Sequence, residues 1–228
     1  MKVLVACEFS GRVRNAFRKR GHDAWSCDLL PAMDNSEYHF QQDVLDILYD
    51  DCWDLLIAHP PCTYLCNSGV CRLYNKDGSY NEERWQKMIE AAIFFRTFLC
   101  SGIPRICVEN PVMHKYALEH IGRKHNQTIQ PYQFGHAESK RTCLWLDRLP
   151  LLKPTKIVEK PECGYWGNQC PGGQNKLGPS KDRWKLRAIT YQGIADAIGE
   201  QWNEQNLNLF DNGISVKEAR AGQGALFE

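Results

Sequence analysis

Asp54-Leu-Leu-Ile-Ala-His-Pro-Pro-Cys62-Thr63 sets the architecture of this chain. Trp53 to Ala58 reads as a buried β-strand, and the two prolines then end it, because their rings remove backbone donors and fix φ. A thiol, Cys62, follows at once. Open α/β sheets place their chemistry at such strand ends. A second run, Arg105-Ile-Cys-Val-Glu109-Asn110-Pro111, repeats the design with a carboxylate in place of the thiol. A nucleophile and a proton partner at the ends of two strands suggest covalent catalysis.

The segments around these runs alternate. Lys2 to Cys7, Asp23 to Cys27 and Phe40 to Val44 read as strands. Gly11 to Arg20, Asn81 to Cys100 and Met113 to Ile121 read as helices, the longest with Ile89, Ala92, Ile93, Phe95 and Leu99 on one face. Thr128 to Phe134 and Arg141 to Leu146 read as late, antiparallel strands, and Ile189 to Trp202 as a closing helix. This βαβ rhythm predicts an α/β fold: a doubly wound, mostly parallel sheet with helices on both faces and a small irregular appendage. Residues 1–149 form the expected catalytic and cofactor-binding core, 150–187 the appendage, 188–204 the closing helix and 205–228 a flexible tail. The polar segment Asn67 to Tyr80, just after Cys62, is expected to be a mobile active-site loop.

The sequence has 228 residues, 43% hydrophobic and 24% charged, with a net charge of +1, which reads as an ordinary soluble globular protein. No apolar run is long enough to cross a bilayer, and the N-terminus lacks signal-peptide features, so a cytoplasmic location is expected. Two basic clusters stand out. Arg12, Arg14, Arg18, Lys19 and Arg20 are read as a solvated helix face. Lys181, Arg183, Lys185 and Arg187 are read as a DNA-contacting segment. The eleven cysteines are odd in number and irregularly spaced. That argues against a secreted disulfide framework, and most are expected to be small buried hydrophobes. No tight Cys-x-x-Cys pair accompanies Cys163 and Cys170, so no metal site is assigned.

Seven motifs occur in a defined order: Phe9-Ser10-Gly11, Cys27-Asp28-Leu29, Gln42-Asp43-Val44, Pro60-Pro61-Cys62, Glu109-Asn110-Pro111, Ser139-Lys140-Arg141-Thr142 and Tyr191-Gln192-Gly193-Ile194-Ala195-Asp196-Ala197-Ile198. Together they resemble the DNA cytosine-C5 methyltransferases. The form is similar to the compact phage and prophage versions that lack a large target-recognition domain. The resemblance implies a Rossmann-like fold and S-adenosylmethionine as donor. It implies Cys62 as the nucleophile toward cytosine C6. Glu109, with a raised pKa, would hold N3 and the exocyclic amine, and Asn110 would hold the turn. Arg141, or else Lys140, would bind the base carbonyl. Phe9, Ser10, Gly11, Asp28, Leu29, Asp43, Val44, Pro61 and Gln192 would bind the cofactor, with Asp28 on the ribose and Asp43 on the adenine amine. The sequence departs from the family pattern at Pro111 and at Tyr191-Gln192, which leaves a modified donor open.

C6 is hidden in a duplex, so the base must be flipped out or the DNA single-stranded. Asn67, Ser68, Arg72, Trp166, Lys181, Arg183 and Trp184 are the expected DNA contacts, mixing stacking surface with positive charge. The protein is expected to act as a monomer. Gln205-Asn-Leu-Asn-Leu-Phe210 and Gln223-Gly-Ala-Leu-Phe227 faintly resemble peptides that dock on bacterial sliding clamps. Two rival readings are a non-catalytic module that binds cofactor or DNA, and a C5 modification that transfers a larger group.

Overall fold

The computed structural model describes residues 1–50 and 52–213. It is a mixed α/β protein built on a seven-stranded sheet. The strands are β1 (Lys2–Ala6), β2 (Asp23–Asp28), β3 (His39–Gln41), β4 (Leu55–Ala58), β5 (Arg105–Pro111), β6 (Gln127–Ile129) and β7 (Thr142–Asp147). The helices are α1 (Arg12–Arg18), α2 (Glu82–Leu99), α3 (Lys115–Ile121), α4 (Arg183–Ala188), α5 (Gln192–Gln201) and α6 (Glu204–Gly213). The spatial order is β3-β2-β1-β4-β5-β7-β6. The first five of these strands run parallel. β7 is antiparallel to both β5 and β6.

Alternation along β1 and β4 sorts the core into two layers. Leu4, Ala6, Leu56 and Ala58 face Met88, Ala92, Phe95 and Phe98 of α2 and Ala117 and Ile121 of α3. Val3, Val5, Leu55 and Ile57 face Val13, Ala16 and Phe17 of α1 and Ile194, Ala197 and Ile198 of α5. All four residues of β4 are fully buried, which is why its sequence is a continuous apolar run. The chain leaves β1 toward one layer and β4 toward the other. Such a reversal opens a crevice above adjacent strand ends.

Several expectations need correction. β5, which reads in sequence as a strand from Arg105 to Val108, extends three residues further, because Glu109, Asn110 and Pro111 pair with Leu144, Cys143 and Thr142 of β7. Asn67–Leu73 is a 3-10 helix rather than an irregular loop, and Tyr74 and Tyr80 then close a short bridged turn. Arg14 is completely buried, not solvated; its guanidinium bonds Ser26 Oγ and Asp34. Only Cys27, Cys107 and Cys143 among the cysteines are buried. The tail expected from residue 205 is instead helical to Gly213, because Leu207 is fully buried in the α1–α5 layer and Arg105 pairs with Asp211. This helix contains the first clamp-like segment, with Leu207 inside and Leu209 exposed. The second, Gln223 to Phe227, lies outside the described residues. Among the described residues, no helix is long and apolar enough to cross a membrane.

Gly193 shows how tightly the closing helix is seated. A Cβ there would overlap the carbonyl oxygen of Phe134, and the Gly193 N–H donates to His136 Nε2 at 2.9 Å. Gly193→Ala should therefore lower stability by about 1–3 kcal/mol, as overpacking does. Urea denaturation will check this; an unchanged midpoint would contradict the close approach.

Candidate active site

The register Leu55↔Arg105 through Ala58↔Val108 brings His59 beside Glu109. His59 Nδ1 lies 3.2 Å from Glu109 Oε2, and the His59 N–H donates to Ala6 O at the end of β1. Asn110 is buried and donates from Nδ2 to Pro60 O at 2.8 Å. The prolines thus end β4 and present a carbonyl that β5 holds. Beyond them, Cys62 O accepts from the N–H groups of Leu65 and Cys66, forming one helical turn. The turn is stitched to the exit of β5 by Asn67 N–H to Val112 O and His114 N–H to Leu65 O. Cys62 is half-buried, and its thiol feels the charges of Glu109 and Lys140. Cys62 thus lies near enough to Glu109 for the carboxylate charge to act on the thiol.

Their protonation differs from expectation in one respect. Burial pushes the Glu109 carboxyl up, but the His59 hydrogen bond and the nearby Lys140 and His59 charges outweigh it. The net shift is downward, so Glu109 is an ionised acceptor rather than the raised-pKa donor expected from sequence. His59, which the sequence reading passed over, is the missing proton-bearing neighbour. Its Nε2 is buried without a partner. A narrow cavity of about 20 Å³, room for about one water, is lined by His59, Glu109, Lys140, Thr142 and Tyr191.

The Cys62 thiol is pushed up, first by its hydrogen bond to Cys66, then by burial and by the Cys66 and Glu109 charges. Cys66 moves the opposite way, to about 5, because the Cys62 thiol, the Ser68 hydroxyl and the N–H groups of Ser68 and Gly69 stabilise its thiolate against burial.

Lys140 reaches this centre: its charge acts on both Cys62 and Glu109, and Nζ donates to Arg187 O at 2.8 Å. Arg141 sits on the wall of an open cleft of about 640 Å³ that Lys140 also lines. Arg12, Lys176 and Arg187 line the same cleft, with Glu138 and Tyr191 opposing them. The Tyr191 hydroxyl donates to Glu138 Oε2 at 2.5 Å. The cleft lies against the appendage. Ser139 and Asn168 exchange two hydrogen bonds there, and Trp166 stacks on Tyr132 at 4.7 Å. Trp166 is thus an anchor of the appendage rather than a free platform. Lys181 and Trp184 are exposed and Arg183 is half-buried on α4, whereas Asn67, Ser68 and Arg72 are exposed on the 3-10 helix.

Seven of the nine residues expected to hold a cofactor lie at or just after the ends of β1, β2 and β3; Pro61 follows β4 and Gln192 opens α5. Cys7, directly after β1, has φ 56°, a costly conformation for a residue other than glycine. Asp28 ends β2; burial raises its carboxyl, and Oδ1 accepts from Leu30 N–H. Leu29 is 73% exposed beside it. Asp43 is exposed and caps the turn at Leu45. Phe9 and Val44 are buried, so little of either side chain is open for contact. Ser10 Oγ donates to the buried Glu8. The close neighbour that Gly11 accommodates, at φ 69°, is the Arg14 guanidinium. Pro61 is exposed, and Gln192 donates to Asp196 Oδ1 one turn along α5. Among the described residues, no three His, Cys, Asp or Glu side chains cluster to hold a metal.

No model of a known protein family matches this chain, and no curated protein matches it in sequence. A similar solved structure is that of a prophage-encoded E. coli protein described as a candidate DNA modification methyltransferase. It is 14% identical, with a TM-score of 0.44, over 69% of this chain and 52% of that one. This chain spans about half the length of that protein. A likeness of this degree leaves the chemistry to be argued from the chain's own residues.

Glu109 makes stability depend on pH. The unfolded value is about 4.3, and the folded value lies lower. Its contribution is complete above the unfolded value and is lost as pH falls through the folded one. The stability gap between wild type and Glu109→Gln in urea should be widest near neutrality and shrink below about pH 4. A gap that stays constant down the acid range would contradict the pairing with His59.

Proposed function

We propose that this chain is a DNA cytosine-C5 methyltransferase with a doubly wound, Rossmann-like fold, using S-adenosylmethionine as donor. The observation that supports the reading is that β4 and β5 end side by side, with His59 on Glu109 and Asn110 on Pro60, and Cys62 follows two residues later within reach of the Glu109 charge. Cytosine C5 is a poor nucleophile. Addition of the Cys62 thiolate at C6 turns the ring into an enamine-like species whose C5 can attack an electrophilic carbon.

Glu109 accepts from the exocyclic amine of a flipped cytosine. A proton passed from His59 through the Glu109 carboxylate meets N3 as charge enters the ring, an interaction that strengthens toward the transition state. Lys140, beside both groups, is better placed than Arg141 to meet the base carbonyl. Arg141, Arg12, Lys176 and Arg187 give the open cleft a cationic wall suited to a phosphate backbone. The exposed Lys181, Trp184 and Arg72 extend that surface.

Donor binding is assigned to the ends of β1 and β2. Asp28, at the end of β2, offers a carboxylate for ribose hydroxyls, and exposed Leu29 and Leu45 offer apolar surface that an adenosine would cover. When bound, the donor supplies an electrophilic methyl group. The chain's own residues hold the base, exclude water and manage the protons.

Incubation with unmethylated DNA and methyl-labelled S-adenosylmethionine, followed by nucleoside analysis, should yield labelled 5-methylcytosine. Cys62→Ser should abolish it, and Glu109→Gln should reduce it by roughly 10²-fold or more, a loss typical of general acid–base groups. Label in another nucleoside, or in a folded Cys62→Ser protein, would overturn the reading. A larger group on C5 would favour a modified donor, and cofactor or DNA binding without turnover would favour a non-catalytic module.

A further inference from the structure

We infer that the hairpin from Asn168 to Lys176 reads a guanine beside the target cytosine, through the side-chain amides of Gln169 and Asn175. This rests on the proposed action on DNA and names a specificity element for it. Lys176 N–H donates to Asn168 O at 2.9 Å, and Cys170 N–H donates to Gln174 O at 2.8 Å. These bonds flank the bridged pair Gln169 and Asn175, which face each other without a backbone bond between them. Side chains of such a pair stand on one face of the ribbon at their closest approach. Gly173, at φ 76°, closes the turn by donating to Cys170 O at 2.8 Å.

The ribbon is rooted beside the candidate active site. Gly167 N–H donates to Ala137 O at 2.9 Å, and a Cβ on Gly167 would lie 3.0 Å from that oxygen. Asn168 exchanges its two hydrogen bonds with Ser139. The next residue, Lys140, lines both the cleft and the cavity beside Glu109. A base held in the cleft against the ribbon would thus be a near neighbour of one held at Glu109.

The two amides are set as donors. Trp166 N–H donates to Gln169 Oε1 at 3.2 Å, and Leu177 N–H donates to Asn175 Oδ1 at 2.8 Å. A backbone N–H can only donate, so each amide turns its oxygen back on the hairpin and leaves its NH2 group over. Among the described residues neither NH2 group donates to another protein group. Both residues line the cleft that Arg141, Lys176 and Arg187 also line. The cations suit phosphates and fix register, whereas neutral donors can tell one base from another. A two-stranded ribbon fits the major groove of a duplex. There guanine offers two acceptors, O6 and N7; adenine pairs an acceptor with a donor, thymine an acceptor with a methyl group, and cytosine offers a donor. Two adjacent donors match guanine.

The test uses duplex DNA with one fixed cytosine in random flanks, sequenced after selection for binding and, separately, for methylation. Wild type should enrich guanine about tenfold at one flanking position, within the discrimination that a two-bond base contact supplies. The double variant Gln169→Glu, Asn175→Asp keeps both oxygens that anchor the hairpin and replaces the donors with acceptors. Its added charge weakens binding to every flank, so the ratio between flanks is what is read. The guanine enrichment should vanish or pass to cytosine, whose N4 amine donates. With wild type, 7-deazaguanine at that position, which lacks the N7 acceptor, should weaken binding several-fold, and with the double variant it should change nothing. Binding or methylation by wild type without guanine enrichment overturns the inference alone. A double variant that still enriches guanine overturns it too, leaving these residues as phosphate or structural contacts. Guanine-selective binding without 5-methylcytosine supports the hairpin's role and overturns the methyltransferase reading. No binding to any duplex overturns both.

Discussion

The register between β4 and β5 fixes where His59, Pro60, Glu109 and Asn110 meet. Leu55 through Ala58 pair with Arg105 through Val108, and all eight residues lie inside the sheet. Where β4 stops, β5 does not. Its last three residues turn to β7 for partners, while His59, Pro60 and Cys62 lie free of the ladder above it. Asn110 closes the gap with a hydrogen bond to Pro60 O, which the proline-ended strand offers without any backbone donor to compete. A one-residue slip would turn Glu109 away from His59 and place its charge against the apolar layer beneath.

The protons are arranged more subtly than the positions. A carboxylate buried beside a half-buried thiol ought to hold its proton, and the sequence encourages that view. Burial does push Glu109 up, but His59 and Lys140 push it down further. The thiol is likewise held protonated, partly by the same carboxylate. Lys140 lies near both groups and partly offsets their mutual repulsion. The Cys62 thiol is therefore protonated beside an ionised Glu109; on the proposed function, a bound base is what would redistribute the charge.

Much of this was legible in sequence because it rests on local rules. Apolar runs cut by Pro60-Pro61 and extended to Glu109-Asn110 mark strand ends, and the alternation of strand and helix implies a parallel sheet. Other features depend on partners distant in the chain. Arg14 looks like one of five solvated cations until Ser26 and Asp34 close around it. Leu207 looks like part of a polar tail until the α1–α5 layer receives it. Trp166 looks like a stacking platform until Tyr132 covers one face. His59 carried a signal, a histidine directly before the prolines, but its meaning needed the neighbouring strand. Cys66 lies four residues after Cys62, a helical spacing that a loop reading of this segment hides.

The central claim is that Cys62 becomes bonded to a pyrimidine. Its most direct test is residue-level mapping of the adduct with 5-fluorocytosine DNA: proteolysis, followed by fragmentation of the nucleotide-bearing peptide. The account predicts a single modified residue, Cys62, with Cys66 unmodified on the same peptide. Modification at Cys66 or any other cysteine, or a complex that dissociates on denaturation, would contradict it.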